Sequence, residues 1–121
     1  MLRWILAVGM AVALPAMASA QNAENGANVF KKCKACHDAA ADGKNKVGPN
    51  LFGIVGKAAG QVAGFNYSAA MKDSGKTWDA ATLDAYLADP KGFIPGNKMV
   101  FVGLKDEADR KDLIAYLSAQ K

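Results

Sequence analysis

The pentapeptide CKACH, at Cys33–His37, contains both cysteines and the single histidine of this 121-residue chain. Side chains three positions apart on a helix project to one side, so the sulfurs of Cys33 and Cys36 can reach the same flat object. The imidazole of His37 follows directly and can turn toward the centre of that object. The fold of this chain is therefore constrained to place these three side chains around one shared partner.

The C-x-x-C-H spacing is the attachment signature of c-type haem. We predict thioether bonds from Cys33 and Cys36 to one haem c, with His37 as the proximal iron ligand. Three alternatives compete. A thioredoxin-like dithiol requires a βαβ setting that the sequence lacks, and a zinc site requires four ligands where the chain offers three crowded ones. A structural disulfide is chemically possible in an exported protein, but it would close a loop too small to stabilise much.

The beginning of the chain has the order of a secretory signal peptide. Arg3 precedes an apolar run that ends at Leu14, and a proline and three small residues up to Ala20 follow. The run is shorter than the ~20 residues that a membrane-spanning helix needs. We predict a cleaved signal peptide over 1–20 and one exported domain over 21–121, located in the periplasm.

The charge balance of the chain excludes one class of partner. The sequence has 15 basic and 11 acidic residues, and removal of the signal peptide would take away one of the basic ones. Such a mild excess does not indicate nucleic-acid binding, for which a strongly basic stripe is expected. A domain of about a hundred residues is also marginal in the core that it can bury.

Apolar periodicity and glycine-rich loops predict an all-α domain without an alternating strand pattern. The segment GFIPGNKMVF is predicted to be a loop, because Pro95-Gly96 is a turn signal. Short helices of this kind bury little of one another, so an apolar body is expected at the centre of the domain. The predicted helices run from about Ala23 to Cys36, near Tyr67–Lys72, from about Ala80 to Ala88, and from about Asp106 to Gln120.

The second axial ligand of the iron has to come from another residue type, because no second histidine exists. Methionine, lysine, water or an open position are the alternatives. Two methionines remain beyond the signal peptide. Met71 is in a short helical stretch, where an apolar side chain usually packs. Met99 follows the Pro95-Gly96 turn in a loop that can cover the opposite haem face, so we predict His37 and Met99 as the metal ligands.

Six segments of the chain resemble class I cytochromes c, of the bacterial type close to mitochondrial cytochrome c. They are CKACH, VGPNLFGIVG, GFNYS, TWDAATLDAYLADP, FIPGNKMVF and DLIAYL, in family order and with near-family spacing. The resemblance implies the class I cytochrome c fold, in which short helices and loops wrap around one covalently attached haem. It implies a soluble one-electron carrier, not an enzyme, that shuttles electrons between membrane-bound and soluble redox complexes.

The resemblance also implies roles around the haem. Pro49 matches the proline whose carbonyl accepts a hydrogen bond from the proximal histidine, which fixes the imidazole tautomer. Tyr86 matches the tyrosine whose hydroxyl reaches the methionine sulfur, and Tyr67 and Trp78 match donors to a haem propionate. No catalytic residue is implied. The predicted cofactor-binding residues are Cys33, Cys36, His37, Pro49, Tyr67, Trp78, Tyr86 and Met99.

Further matches to the family pattern lie where the first and last helices cross, and departures from it lie mainly in the loops. Gly26 and Phe30 match the residues of the first helix that cross the last helix near Leu113 and Tyr116, where a glycine lets two backbones approach closely. Other positions depart from the family pattern without removing an iron ligand. They are Lys57 in place of an arginine, Met71 in place of an asparagine, Asn45 in place of a histidine, and Asn97 in place of a threonine shortly before Met99.

The resemblance implies partners that dock at an exposed haem edge ringed by lysines. We expect acidic redox proteins such as a cytochrome bc complex and a terminal oxidase or reaction centre, and a monomeric carrier. Two other functions stay open, namely a haem sensor or peroxidase-like protein in which Met99 detaches, and a carrier dedicated to one oxidoreductase. The matching lysines are Lys32, Lys46, Lys91, Lys98 and Lys105.

Overall fold

The computed structural model describes Gly9 and residues 22–121, and these residues form five helices joined by loops. They contain no β-strand, only one isolated antiparallel bridge between Ala58 and Thr77, so the all-α prediction is confirmed. No helix in this part of the chain has both the length and the apolar character needed to cross a membrane. Apart from Gly9, the predicted signal peptide lies outside the described residues. The helices are α1 (Ala23–Phe30), α2 (Ala69–Lys72), α3 (Ala80–Ala88), α4 (Pro90–Phe93) and α5 (Glu107–Ala119).

Helices α3 and α5 have the predicted bounds because capping residues define them. The Asp79 carboxylate accepts a hydrogen bond from the Thr82 N–H at 2.8 Å, and the Thr82 hydroxyl accepts one from the Asp79 N–H at 3.0 Å. This reciprocal pair is a capping box at the start of α3. Asp106 caps α5 by accepting from the Asp109 N–H. At the other end, α3 stops before Pro90, which has no N–H to continue the ladder.

The first helix is shorter than predicted, because it ends at Phe30 and not near Cys36. Beyond Phe30 the backbone tightens into turns in which several N–H groups bond to the carbonyl three residues earlier, while those of Lys34 and His37 bond to the carbonyl four residues earlier. The Cys33 N–H donates to the Phe30 carbonyl at 2.8 Å, and the Cys36 N–H donates to the Cys33 carbonyl at 3.0 Å. Apolar spacing does not distinguish such tight turns from a continued helix, so the spacing predicted a helix that extends past its observed end at Phe30.

A four-residue helix, α4, interrupts the segment that was predicted to be a loop. Pro90 occupies its first turn, where the missing N–H of proline costs nothing, and Asp89 caps it by accepting from the Gly92 N–H at 3.1 Å. The loop prediction was wrong only for Gly92 and Phe93, the first two residues of that segment. One turn of helix is too short to show apolar periodicity, and the Asp89-Pro90 pair was its only sequence signal.

Helices α1 and α5 cross at close range, as the resemblance implied. A Cβ atom on Gly26 would overlap the carbonyl oxygen of Asp112 and lie 2.7 Å from the Cβ of Tyr116. The rings of Phe30 and Tyr116 pack with their centroids 5.3 Å apart. Leu113, which is almost completely buried, lies at the same crossing. Glycine at position 26 is therefore a steric requirement of this packing.

Hydrogen bonds stabilise both ends of the packed pair of helices α1 and α5, which we call the α1–α5 frame. The Asp112 carboxylate accepts from the Asn22 N–H and from the Asn25 amide, each at 2.8 Å. These bonds, that from Asn22 foremost, lower the pKa of the Asp112 carboxyl below its ordinary value. Beyond the end of α5, the Gln120 carbonyl accepts from the Gly53 N–H at 2.6 Å. The C-terminus is thereby tied to the loop that follows Leu51.

Gly26→Ala tests the crossing. We expect the free energy of unfolding to fall by about 1–3 kcal/mol, because an added methyl group has to push α1 away from the backbone of α5. Chemical denaturation of the purified protein measures this loss. Asn28→Ala, at an exposed position of the same helix, is the matched control and should leave stability unchanged or slightly raised. Equal or greater stability of Gly26→Ala, as helix propensity alone would give, contradicts the steric account.

Candidate functional site

One cavity of about 430 Å³ collects the residues that the sequence singled out. It is enclosed mainly by apolar side chains from α1, α3, α5 and the long loops. The volume lies in the range of cavities that bury most of a small-molecule cofactor. All eight predicted cofactor-binding residues line it, namely Cys33, Cys36, His37, Pro49, Tyr67, Trp78, Tyr86 and Met99.

The two thiols stand side by side in the wall of the cavity, and both are free and partly buried. Burial raises the pKa of the Cys33 thiol, and the nearby Cys36 adds to the rise while Lys32 opposes it. The Cys33 side chain is therefore a protonated, neutral group at ordinary pH. The tight turns after Phe30 determine the spacing of the two sulfurs along the wall.

The imidazole of His37 is held in one tautomer. Its Nδ1 lies 2.7 Å from the carbonyl oxygen of Pro49, and because a carbonyl can only accept, Nδ1 carries the proton and donates. The other ring nitrogen, Nε2, then keeps its lone pair and is the donor atom available to a metal. Burial also lowers the pKa of the imidazole, which outweighs the rise caused by the Pro49 bond, while Lys46 adds to the lowering. The neutral form that binds metals is thus favoured.

Gly48 creates the space for this ring. A Cβ at position 48 would overlap the imidazole of His37. The Gly48 N–H also donates to the Cys36 carbonyl at 2.8 Å, which joins the loop of Pro49 to the cysteine segment. The sequence shows the glycine but does not show that it faces the histidine.

Met99 lies in the cavity wall with its sulfur 3.7 Å from the Tyr86 hydroxyl. The tyrosine O–H donates and the thioether accepts. Tyr86 is buried on α3, where its ring packs against Trp78 at a centroid distance of 4.9 Å. Burial raises the pKa of the Tyr86 phenol to about 12. The hydroxyl therefore remains protonated and keeps a hydrogen for the sulfur across the physiological range.

Tyr67 and Trp78 also line the cavity, from two different loops. The Tyr67 oxygen accepts from the Val62 N–H at 3.0 Å, so its own hydrogen is left to donate elsewhere. Trp78 is 6% exposed, and its backbone bonds to Lys57 and Gly56. Their predicted role as donors to haem propionates stays a prediction.

The five predicted docking lysines are all exposed, but they differ in what holds them. Lys32 and Lys98 line the mouth of the cavity. The Lys46 ammonium donates to the Lys34 carbonyl at 2.7 Å and forms an ion pair with Asp38 at 3.1 Å. The Lys105 ammonium donates to the carbonyl of Ala88, the last residue of α3, at 2.8 Å. The fifth of these lysines, at position 91, is on α4.

Sequence reasoning missed two features near Met99. Val100 is 95% exposed although it lines the cavity mouth, and its only signal in the sequence was its place in the apolar run from Met99 to Val102. Asn97 is buried and hydrogen-bonded to the backbone around it. An asparagine in a turn is a recognised signal for such bonds, but the sequence does not identify their partners.

The donor set of the cavity fits a c-type haem. Two free thiols, one imidazole nitrogen and the thioether sulfurs of Met71 and Met99 belong to residues that line a mostly apolar volume, and thiols, imidazole and thioether are the groups that attach and ligate such a cofactor. Comparison with known proteins agrees. The sequence profile of the family described as cytochrome c matches residues 23–121.

Individual relatives match over most of their length. Cytochrome c2 of Rhodomicrobium vannielii is 52% identical over 117 residues, which cover 96% of this chain and 94% of that protein. Cytochrome c2 iso-2 of Magnetospirillum fulvum is 59% identical over 90 residues, 74% of this chain and 93% of its own. Among solved structures, cytochrome cH from Methylobacterium extorquens superposes with a TM-score of 0.76 at 49% identity, covering 80% of this chain and 97% of its own.

The chain belongs to the cytochrome c family, and its fold is the class I cytochrome c fold. The cofactor of this family is one covalently attached haem c, and Cys33 and Cys36 provide the C-x-x-C-H attachment motif for it.

Gly48→Ala tests how the histidine is held. The added methyl group should displace the His37 ring from its hydrogen bond with Pro49 and lower the free energy of unfolding by about 1–3 kcal/mol. NMR of the His37 ring protons and chemical denaturation measure the two effects. Lys44→Ala, an exposed substitution in the same loop, should change neither. If the ring signals of Gly48→Ala coincide with those of the wild type, the glycine is not required for placing the ring.

Proposed function

We propose that this protein is a periplasmic one-electron carrier with His37 and Met99 as the iron ligands of its haem. The observation that carries the proposal is the apolar cavity that both thiols, the His37 imidazole and the Met99 thioether line together. The family result supports it, since the relatives are cytochromes c2 and a cytochrome c-550. When bound, the haem supplies an iron centre that gains or loses one electron.

The chain's own residues suit that role because they keep reactants away from the metal. Pro49 holds the His37 imidazole in the tautomer that presents Nε2 to the cavity. The Tyr86 hydroxyl donates a hydrogen bond to the Met99 sulfur and so holds it in the cavity wall. With His37 and Met99 as iron ligands, no coordination position would be left for a substrate, and we infer that the protein does not act as an enzyme.

The apolar wall favours one of the two charge states. Transfer of a positive charge into a medium of low polarity is unfavourable, so the walls destabilise the more positive, oxidised state. A thioether is a soft, neutral donor that favours the reduced state in the same direction. The cavity therefore supports a reduction potential that is high for a haem protein, which suits a carrier that accepts electrons from a membrane complex.

Partners would dock at the cavity mouth. Lys32 and Lys98 line this mouth and their side chains form no hydrogen bond or ion pair with any described residue. Exposed Val47 and Val100 lie beside them. We propose that acidic surfaces of redox complexes, such as a cytochrome bc complex and a terminal oxidase or reaction centre, approach here. Cationic groups around an apolar centre give fast, salt-sensitive encounters.

Met99→Ala tests the distal ligand. We expect the reduced variant to bind carbon monoxide at neutral pH, whereas the wild type does not, because removal of the sulfur opens a coordination position. The far-red absorption of sulfur-ligated ferric haem should be lost as well. Optical spectra of the purified, haem-loaded proteins measure both.

Met71→Ala is the matched control, because it removes a thioether from the same cavity wall. It should retain the far-red absorption and exclude carbon monoxide. Loss of the absorption in Met71→Ala, or its retention in Met99→Ala, contradicts the ligand assignment. Ready carbon monoxide binding by the wild type would favour a sensor or peroxidase-like function instead.

Lys32→Gln and Lys98→Gln test the docking surface. At low ionic strength each should slow reduction by a cytochrome bc complex by roughly two- to tenfold, because a steering charge is lost at the cavity mouth. The difference should vanish at high salt. Stopped-flow kinetics at two ionic strengths measure it.

Lys111→Gln is the control for net charge. Lys111 is on α5 and pairs with Glu107 at 3.1 Å, outside the cavity lining. It should leave the low-salt rate nearly unchanged. If Lys111→Gln slows the reaction as much as Lys98→Gln, only the total charge matters and the cavity mouth is not the docking surface.

A further inference from the structure

Among the residues that the structure describes, Asn97 is the one buried side chain that is neither aliphatic nor aromatic, at 7% exposure. Its carboxamide is fully engaged. The side-chain nitrogen donates to the carbonyls of Pro90 and Ile94, each at 2.8 Å, and the side-chain oxygen accepts from the Met99 N–H at 2.9 Å. Asn97 thus links the backbone of α4 and its C-terminal end to the backbone of the residue proposed as the distal ligand.

The anchoring side of this link is rigidly packed. Pro90 has less than 2% of its surface exposed, and Ile94 has 3%. Helix α4 packs on α3, and the ring of Phe93 contacts the ring of Tyr86 at a centroid distance of 6.4 Å. The carbonyls that accept from Asn97 therefore belong to a part of the core that also holds Tyr86.

The other side of the link has little else to hold it. In residues 98–103, the Met99 N–H is the only backbone group with a hydrogen bond to another described residue. Both neighbours of Met99 are exposed, Val100 at 95%. Backbone pairing resumes only where the Leu104 N–H donates to Leu87. Apart from packing of its side chain, Met99 is held by the Asn97 oxygen at its backbone and by the Tyr86 hydroxyl at its sulfur.

We propose that Asn97 is a positioning residue that keeps the Met99 sulfur in the cavity wall and so limits the access of competing ligands to the metal. The proposal rests on the proposed function, in which Met99 is the distal ligand. Departure of the sulfur requires the backbone at position 99 to move, and the carboxamide resists this movement by tying that backbone to the α4 turn. Without the carboxamide, the Met99 N–H loses its only hydrogen-bond partner among the described residues, and the loop is free to swing outward.

Imidazole binding to the ferric, haem-loaded protein tests the proposal, because imidazole has to displace the distal ligand. Asn97→Ala should bind imidazole roughly tenfold more tightly than the wild type, since a buried hydrogen-bonded link is lost. Asn97→Thr should lie between the two. Its hydroxyl can accept from the Met99 N–H, as in serine and threonine turns, but has one hydrogen and cannot serve both carbonyls. Hydrogen exchange of the Met99 amide should accelerate in the same order.

Asn45→Ala is the matched control, because the Asn45 carboxamide also joins two backbone segments. It donates to the Ala63 carbonyl at 3.0 Å and accepts from the Asn50 N–H at 2.9 Å, without contact to Met99. This variant removes the same kind of group and should show the imidazole affinity of the wild type. An equal rise in Asn45→Ala would mean that general loosening, not positioning of Met99, controls access.

The outcomes separate the two proposals. If the wild type lacks the absorption of sulfur-ligated ferric haem, the proposed function fails at its distal ligand. If that absorption is present and Asn97→Ala and Asn97→Thr bind imidazole as the wild type does, only the role of Asn97 is overturned. If Asn97→Ala does not fold, Asn97→Thr decides alone, with a rise in affinity supporting the proposal and the wild-type affinity overturning it.

Discussion

The contact between α1 and α5 at Gly26 is the constraint on which the cavity depends. The two backbones meet there with no room for a side chain, and this closeness brings Phe30, Leu113 and Leu117 into the cavity wall. Short helices of this kind bury little of one another, so a partner that they can enclose stabilises them. The α1–α5 frame forms one fixed wall of the cavity, and the remaining loops pack around that wall.

The two faces of the cavity are built differently. On the histidine face, Pro49 and Gly48 lock the imidazole by a hydrogen bond and by lack of space, and backbone bonds join the loop to the cysteine segment. On the methionine face, a thinly bonded loop is held by one buried carboxamide and one tyrosine hydroxyl. Two side chains of different chemistry thus hold the Met99 sulfur, one through the backbone and one directly. We therefore expect Met99, the proposed distal ligand, to exchange more easily than His37, the proposed proximal one.

Much of this arrangement could be predicted from the sequence, because its strongest signals are local. The CKACH motif, the acidic caps of α3 and α5 and the Pro90 break depend on neighbours within four residues. The predicted α1 was too long because the backbone hydrogen bonds tighten into turns after Phe30, and this change leaves the spacing of apolar residues intact. The partners of Asn97 include a carbonyl seven residues earlier in a separate turn. Such a bond depends on the tertiary fold, and no sequence pattern predicts it.

The order of the helices along the chain has a consequence for biogenesis. The frame joins the first helix to the last, so in a chain made from its N-terminus α1 emerges long before its partner exists. Until α5 arrives, Phe30 has no surface to pack on and the neighbouring thiols stand open to solvent. We infer that the order of synthesis leaves an interval in which Cys33 and Cys36 are accessible for haem attachment, and that packing of the final helix ends this interval.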